Sequence, residues 1–184
     1  MKYNLSNILT LSRIAVIPVI LILLLSGSNL SIWIAFILFI IAGITDFADG
    51  YLARIRKEQT SFGTFLDPIA DKLLVSAILL VLTSIGTISN WTIVPAIIIL
   101  MREIIVSGLR EFLAGIKISV PVSKIAKFKT ALQMFSLSIL ILCAGAVEDS
   151  IFLLMGKLTL WTAALLTLYT GYDYLKSGFA YLNK

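Results

Sequence analysis

Residues 14–45 read IAVIPVILILLLSGSNLSIWIAFILFIIAGIT, from Ile14 to Thr45, without one charged side chain. A helix needs about 20 apolar residues to cross the hydrocarbon core of a bilayer. This run is long enough for two such helices, and Ser26-Gly27-Ser28-Asn29 in its middle supplies the break. Leu73–Met101 is a second uncharged run long enough for a hairpin, and Thr130–Val147 and Leu158–Tyr172 are shorter ones. Across all 184 residues the chain is 59% hydrophobic and 14% charged, against about 45–50% and 25% in soluble domains. The pattern predicts an all-α, polytopic membrane protein.

Gly, Ser, Asn and Pro cluster at Ser26–Ser31, Arg54–Gly63, Ser84–Asn90, Gly115–Ser123 and Gly145–Ser150. These breaks divide the chain into six helices, at about 8–25, 32–55, 64–84, 91–114, 124–145 and 151–182. No repeat, low-complexity tract or Pro/Ser-rich linker interrupts them, so residues 1–184 are expected to form a single domain. Lys2 and the apolar stretch up to Ser26-Gly27-Ser28 also fit a cleaved signal peptide. The reading adopted is an amphipathic lead-in over 1–9 (Leu5, Ile8, Leu9) that runs into the first retained span.

Lys and Arg placement sets the expected orientation. With the N-terminus inside, 14 of the 15 Lys and Arg residues fall on the inner side, and only Lys157 falls outside. Both termini are therefore expected in the cytoplasm, in the plasma or inner membrane. The net charge of +5 is then concentrated where anionic head groups or anionic substrates lie. No basic soluble surface exists for a nucleic acid.

Composition also removes chemistry. The chain has no histidine, which excludes a His base, a Ser–His–Asp triad and His metal ligands. The single Cys143 cannot form an internal disulfide and reads as a small lipid- or core-facing residue. What remains is Asp, Glu, Lys, Arg, hydroxyls and a hard metal.

Four of the six aspartates lie within one short segment, Asp46-Phe-Ala-Asp49-Gly50-Tyr-Leu-Ala53-Arg54 followed by Gly63-Thr-Phe-Leu-Asp67-Pro-Ile-Ala-Asp71. Asp46 and Asp49 are three apart near the inner end of helix 2, and Asp67 and Asp71 four apart at the start of helix 3. Each pair shares a helix face, and the short connection makes the two helices antiparallel neighbours. Asp46 precedes Arg54 by about 12 Å of helix, inside the cytoplasmic leaflet, where a carboxylate costs about 2.5–3.5 kcal/mol. Four carboxylates at one level repel one another and call for cations, and their oxygens suit Mg²⁺, Mn²⁺ or Ca²⁺. Pairing with Arg54, Arg56, Lys57 and Lys72 is the competing reading, and it accounts for one or two of the four. Gly50 costs about 0.8–1.0 kcal/mol against Ala inside a helix, and its bare backbone lets a ligand approach closely.

The pattern Asp46-x-x-Asp49-Gly50-x-x-Ala53-Arg54, eight residues, Gly63-x-x-x-Asp67-x-x-x-Asp71 resembles the signature of the CDP-alcohol phosphotransferases. The resemblance covers the whole chain. It implies six membrane helices around a polar cavity open to the cytoplasm, often in a homodimer. It implies one or two divalent metals (Mg²⁺ or Mn²⁺) held by Asp46, Asp49, Asp67 and Asp71, with Asp71 as general base. It places Gly50, Ala53, Arg54, Thr60 and Gly63 along the CDP moiety, with Asn7, Thr10 and Arg13 closing the nucleotide site. These roles suit the chemistry. Two metals about 3.5–4 Å apart stabilise both the attacking and the leaving oxygens of a phosphoryl transfer. With no histidine, a carboxylate is the strongest local base for the acceptor hydroxyl.

The acceptor is written elsewhere. Helix 4 carries Arg102, Glu103, Ser107 and Arg110 in apolar surroundings, and helix 5 opens with Lys124, Lys127, Lys129 and Thr130. These groups are expected at the cytoplasmic level of the aspartates, with Arg102 and Arg110 as buried cations. Glu103 and Arg110, seven residues apart on one face, form the competing ion pair, and lysines snorkelling to lipid phosphates form another. A cationic pocket suits an acceptor that itself carries phosphate, held bidentately by Arg. Lys127 and Lys129 point roughly 200° apart on a straight helix, so only one faces that phosphate, and the sequence leaves open which.

Within the family, Arg102-Glu103-x-x-x-Ser107-Gly108-x-Arg110 and Lys127-x-Lys129-Thr130-x-x-Gln133 resemble the phosphatidylglycerophosphate synthase branch. That implies CDP-diacylglycerol and glycerol 3-phosphate as substrates, with phosphatidylglycerophosphate and CMP as products. The alternatives are the same chemistry on inositol phosphate or phosphatidylglycerol, or a divalent-cation transporter using the carboxylates as a pathway. A transporter would want acids spread through the membrane's depth, and helices 1, 5 and 6 supply none before Glu148, Asp149 and Asp173.

Overall fold

The computed structural model describes residues 5–56, 61–116, 124–144 and 150–182, with side chains for all of these except 5–7, 46–56, 61–65, 67 and 179–182. It contains helices α1 (Leu5–Ser26), α2 (Asn29–Arg56), α3 (Ser61–Ser84), α4 (Ile93–Gly115), α5 (Lys124–Leu142) and α6 (Ile151–Leu182). No strand occurs among the described residues. Each helix coincides with an expected one, with ends displaced by a few residues. α2 and α3 each begin three residues earlier than expected, and α5 closes three residues earlier, at Leu142 rather than 145. The amphipathic lead-in and the first span are one helix, continuous from Leu5.

Among the described residues, Ile8–Ser26, Asn90–Gly115, Lys124–Leu142 and Ile151–Gly178 are long and apolar enough to cross a membrane, and Asn29–Thr45 is a shorter apolar helix. Their outward faces are apolar, as a lipid environment requires. Ile22, Leu30, Leu80, Ile104, Leu158 and Leu165 are all exposed.

Local chemistry explains the connections. Gly27 adopts φ +69°, a left-handed conformation that costs other residues about 1–2 kcal/mol. Its N–H donates to the Leu24 carbonyl at 3.3 Å and closes α1. Ser28 then caps α2, its Oγ accepting from the Ser31 N–H at 3.2 Å. A 3₁₀ turn at Asn90–Thr92 leads into α4. Pro95 sits in the first turn of α4, where a backbone N–H has no helical acceptor to lose.

The helices group into two compact units. The first comprises Met1–Thr87 with Leu140–Val147. Within it α1 packs against both α2 and α3, burying Ile20, Leu24, Phe39, Leu74 and Ile78. The second comprises Ile88–Ile139 with Glu148–Lys184. There α4 and α6 run parallel at close quarters, because two glycines of α6 face α4. A Cβ at Gly178 would lie 2.7 Å from Leu109 Cδ2, and one at Gly171 would lie 3.0 Å from Arg102 Cγ. Gly171 and Gly178 are seven residues apart, as are Arg102 and Leu109, so the two helices stay in register over two turns. Small residues at such seams let helices approach where lipid removes the hydrophobic drive between them. Across this pair α5 runs antiparallel to α6, with Ser136 Oγ donating to the Gly156 carbonyl at 2.9 Å.

Gly178→Val should wedge this seam open and cost about 1–3 kcal/mol of stability, as overpacking does. Thermal unfolding in detergent checks it. Adding Leu109→Ala should recover part of the loss, and no recovery would place the strain elsewhere.

Candidate active site

Asp46 and Asp49 lie one turn apart in the C-terminal part of α2, and Asp67 and Asp71 one turn apart in the N-terminal part of α3. Gly50, Ala53 and Arg54 follow on α2, Gly63 lies on α3, and Asn7 lies in the first turn of α1. The side chains of all these residues except Asp71, and the whole of Thr60, fall outside the described residues. Asp71 is half-buried and partnered, as is Lys72 beside it. Thr10 and Arg13 are both buried and both partnered. They lie one turn apart on the inward face of α1, the face that continues through Ile17, Ile20 and Leu24.

The donor set suits a hard divalent metal. The candidate ligands are four carboxylates, and the chain offers no histidine and a single, buried cysteine at Cys143. Oxygen-only donors of this kind match Mg²⁺ or Mn²⁺ better than softer ions.

The second unit holds a polar cluster inside its three helices. Lys129 on α5 is only 2% exposed, and its ammonium donates to Glu103 Oε1 on α4. Arg102 Nη1 donates to the same oxygen at 3.3 Å, so one carboxylate serves two cations. Arg102 Nη2 reaches Thr170 Oγ1 on α6 at 3.3 Å. Its Nε is buried without a hydrogen-bond acceptor, packed beside Gly171. Gln133, one turn along α5 from Lys129, is buried as well. Arg102 and Lys129 thus both meet Glu103 among apolar helices, and Lys129 has a further partner besides.

Lys127 and Lys129 differ as the helix geometry requires. Lys129 shares a face with Gln133, Ser136, Leu137 and Leu140, all buried, whereas Lys127 and Lys124 are exposed. Lys129 is therefore the lysine that faces the cluster.

Arg110 departs from expectation in being exposed rather than buried, and the competing ion pair with Glu103 does not form. Two turns of helix separate it from Glu103 by about 10 Å along the axis, while Lys129 meets Glu103 from the neighbouring helix. Arg110 turns instead to Tyr174 on α6. Its Nε donates to the phenol oxygen at 3.4 Å, and its Cζ lies 5.5 Å from the ring centroid.

Thr170, Gly171 and Tyr174 thus adjoin the candidate site through Arg102 and Arg110, and the motifs do not mark them. A glycine deep inside a 32-residue helix is the one sequence signal that singles them out, by the argument already applied to Gly50.

Lys129→Met should cost about 1–3 kcal/mol, because it removes the buried Lys129–Glu103 bond and leaves the carboxylate with the more distant Arg102 alone. Lys127→Met should stay within about 0.5 kcal/mol, as surface changes do. Much of the Lys129→Met loss should return when Glu103→Gln is added. Thermal unfolding of the four proteins checks this, and equal effects of the two lysine changes would contradict the ion pair.

Comparison with known proteins points the same way. The family model for CDP-alcohol phosphatidyltransferase matches residues 3–169. A protein of Rickettsia bellii is 50% identical over 174 residues, covering 95% of this chain and 94% of its own. One from Cereibacter sphaeroides is 36% identical, covering 100% and 99%. One from Haemophilus influenzae is 38% identical, covering 96% and 94%. All three are named CDP-diacylglycerol–glycerol-3-phosphate 3-phosphatidyltransferase. A match over nearly the full length, with every fixed position of the aspartate signature filled, makes this chain a member of the CDP-alcohol phosphatidyltransferase family.

Proposed function

We propose that this membrane protein transfers the phosphatidyl group of CDP-diacylglycerol to glycerol 3-phosphate, releasing CMP and giving phosphatidylglycerophosphate. The observation that carries the acceptor is the buried cationic cluster of the second unit, with one arginine N–H left over. Lys129 and Arg102 share one carboxylate, and the Arg102 Nε is left without an acceptor. A neutral alcohol would make little use of two buried cations, whereas a phosphate monoester can accept from the free Arg102 Nε–H and pair with both. The names of the full-length relatives agree with this acceptor.

In the proposed mechanism Asn7, Thr10 and Arg13, with Gly50, Ala53, Arg54, Thr60 and Gly63, hold the CDP moiety. Asp46, Asp49, Asp67 and Asp71 would hold a divalent cation, which would supply charge neutralisation at the diphosphate. Arg102, Arg110 and Lys129 hold the acceptor phosphate, and Lys127 meets lipid phosphates at the surface. Asp71 takes the proton of the acceptor hydroxyl as its oxygen attacks the lipid-side phosphorus and the bond to CMP breaks. Positioning and charge neutralisation do most of the work in such a transfer. The 14 to 1 distribution of Lys and Arg supports cytoplasmic termini and a cytoplasm-facing site in the cell membrane. A homodimer follows the family pattern.

Purified protein given CDP-diacylglycerol and a panel of alcohols should form product with glycerol 3-phosphate and little with glycerol, serine or free inositol. A preference for a neutral alcohol would overturn the acceptor assignment. Chelation of divalent cations should abolish activity, with Mg²⁺ or Mn²⁺ restoring it. Asp71→Asn should lower kcat by about 10²–10⁴, the range for a lost general base, while CDP-diacylglycerol still binds. A matching fall in CDP-diacylglycerol affinity would make Asp71 mainly a ligand and remove its role as base.

A further inference from the structure

The arginines that face the acceptor are on α4, but what aims them is on α6. The Thr170 hydroxyl donates its proton to the Leu166 carbonyl at 2.9 Å, which turns a lone pair toward Arg102 Nη2 at 3.3 Å. Next to it, Gly171 makes room for the Arg102 stem. A Cβ there would lie 3.0 Å from Cγ and 3.6 Å from Nε, so an alanine would push the guanidinium by a few tenths of an ångström. One turn on, the buried Tyr174 presents its ring face and its phenol oxygen to Arg110. None of the three carries charge, so they orient the two cations without neutralising them. A carboxylate at these positions would compete with the anionic ligand, whereas a hydroxyl, a bare backbone and an aromatic face do not.

We infer that Thr170, Gly171 and Tyr174 are positioning residues that set affinity for the acceptor phosphate by fixing the directions of Arg102 and Arg110. This rests on the proposal that those arginines hold that phosphate. Bidentate capture needs both guanidinium planes held in advance, because each rotamer frozen on binding subtracts from affinity. Parallel packing of α4 and α6 lets one face of α6 serve both arginines, two turns apart.

Two-substrate kinetics on the purified full chain tests this with Thr170→Val, Tyr174→Phe, Tyr174→Leu and Gly171→Ala, beside Arg102→Lys and Arg110→Lys. The KM for glycerol 3-phosphate should rise about three- to tenfold in Thr170→Val and Tyr174→Leu. Tyr174→Phe, which keeps the ring and loses the hydroxyl, should rise less than Tyr174→Leu. The KM for CDP-diacylglycerol and the thermal midpoint should stay near wild type. Gly171→Ala should behave like Thr170→Val where it folds, and the other variants decide the matter where it does not. If the two Arg→Lys variants raise the acceptor KM and the α6 variants leave it unchanged, the inference fails and the acceptor assignment stands. Unchanged acceptor KM in the Arg→Lys variants as well would overturn both. Equal losses for the two substrates, or a fall in kcat alone, would make the α6 residues structural and overturn the inference.

Discussion

A lysine ammonium enclosed by three apolar helices must have a counter-charge, and in this protein Glu103 supplies it to Lys129. The rest of the second unit follows from that contact. It ties α5 to α4 at the level where Arg102 also reaches the same carboxylate. Two cations thus meet one carboxylate, and the Arg102 Nε–H is left over as a buried donor. The desolvation of Lys129 has already been met in folding, so the proposed acceptor phosphate would meet a donor held in place beforehand.

Close packing makes the arrangement possible. If α6 carried side chains at 171 and 178, it would stand off from α4, and Thr170 and Tyr174 would lose reach of the arginines. The same seam therefore provides helix association in lipid and orientation of charged groups. In the first unit α1 plays a comparable part. It packs against both aspartate-bearing helices and carries the buried Thr10 and Arg13 on the same inward face as its apolar core residues.

The six helices are legible in the sequence because uncharged runs and Gly/Ser breaks are local signals that a bilayer makes decisive. The aspartate signature is legible for a similar reason, since four carboxylates at helical spacing have little structural use. The acceptor side is less so. Lys129 is in register with Gln133, Ser136, Leu137 and Leu140, and that stripe distinguishes it from Lys127 once the face of α5 is known. The Glu103–Lys129 pair joins residues on different helices, and spacing along α4 alone favours the wrong partner, Arg110. Tyr174 and Thr170 look like ordinary residues of an apolar helix, and only the parallel register of α4 and α6 gives them a task.

The proposed role of the cluster is tested most directly by equilibrium binding of glycerol 3-phosphate and of glycerol to the purified protein, by calorimetry, without CDP-diacylglycerol. Wild type should bind glycerol 3-phosphate with an affinity that falls as salt rises, should bind glycerol negligibly, and should lose the phosphate ester when Lys129 is changed to Met. Equal binding of the two alcohols, or phosphate binding indifferent to Lys129→Met, would contradict a phosphate-holding role for these three helices.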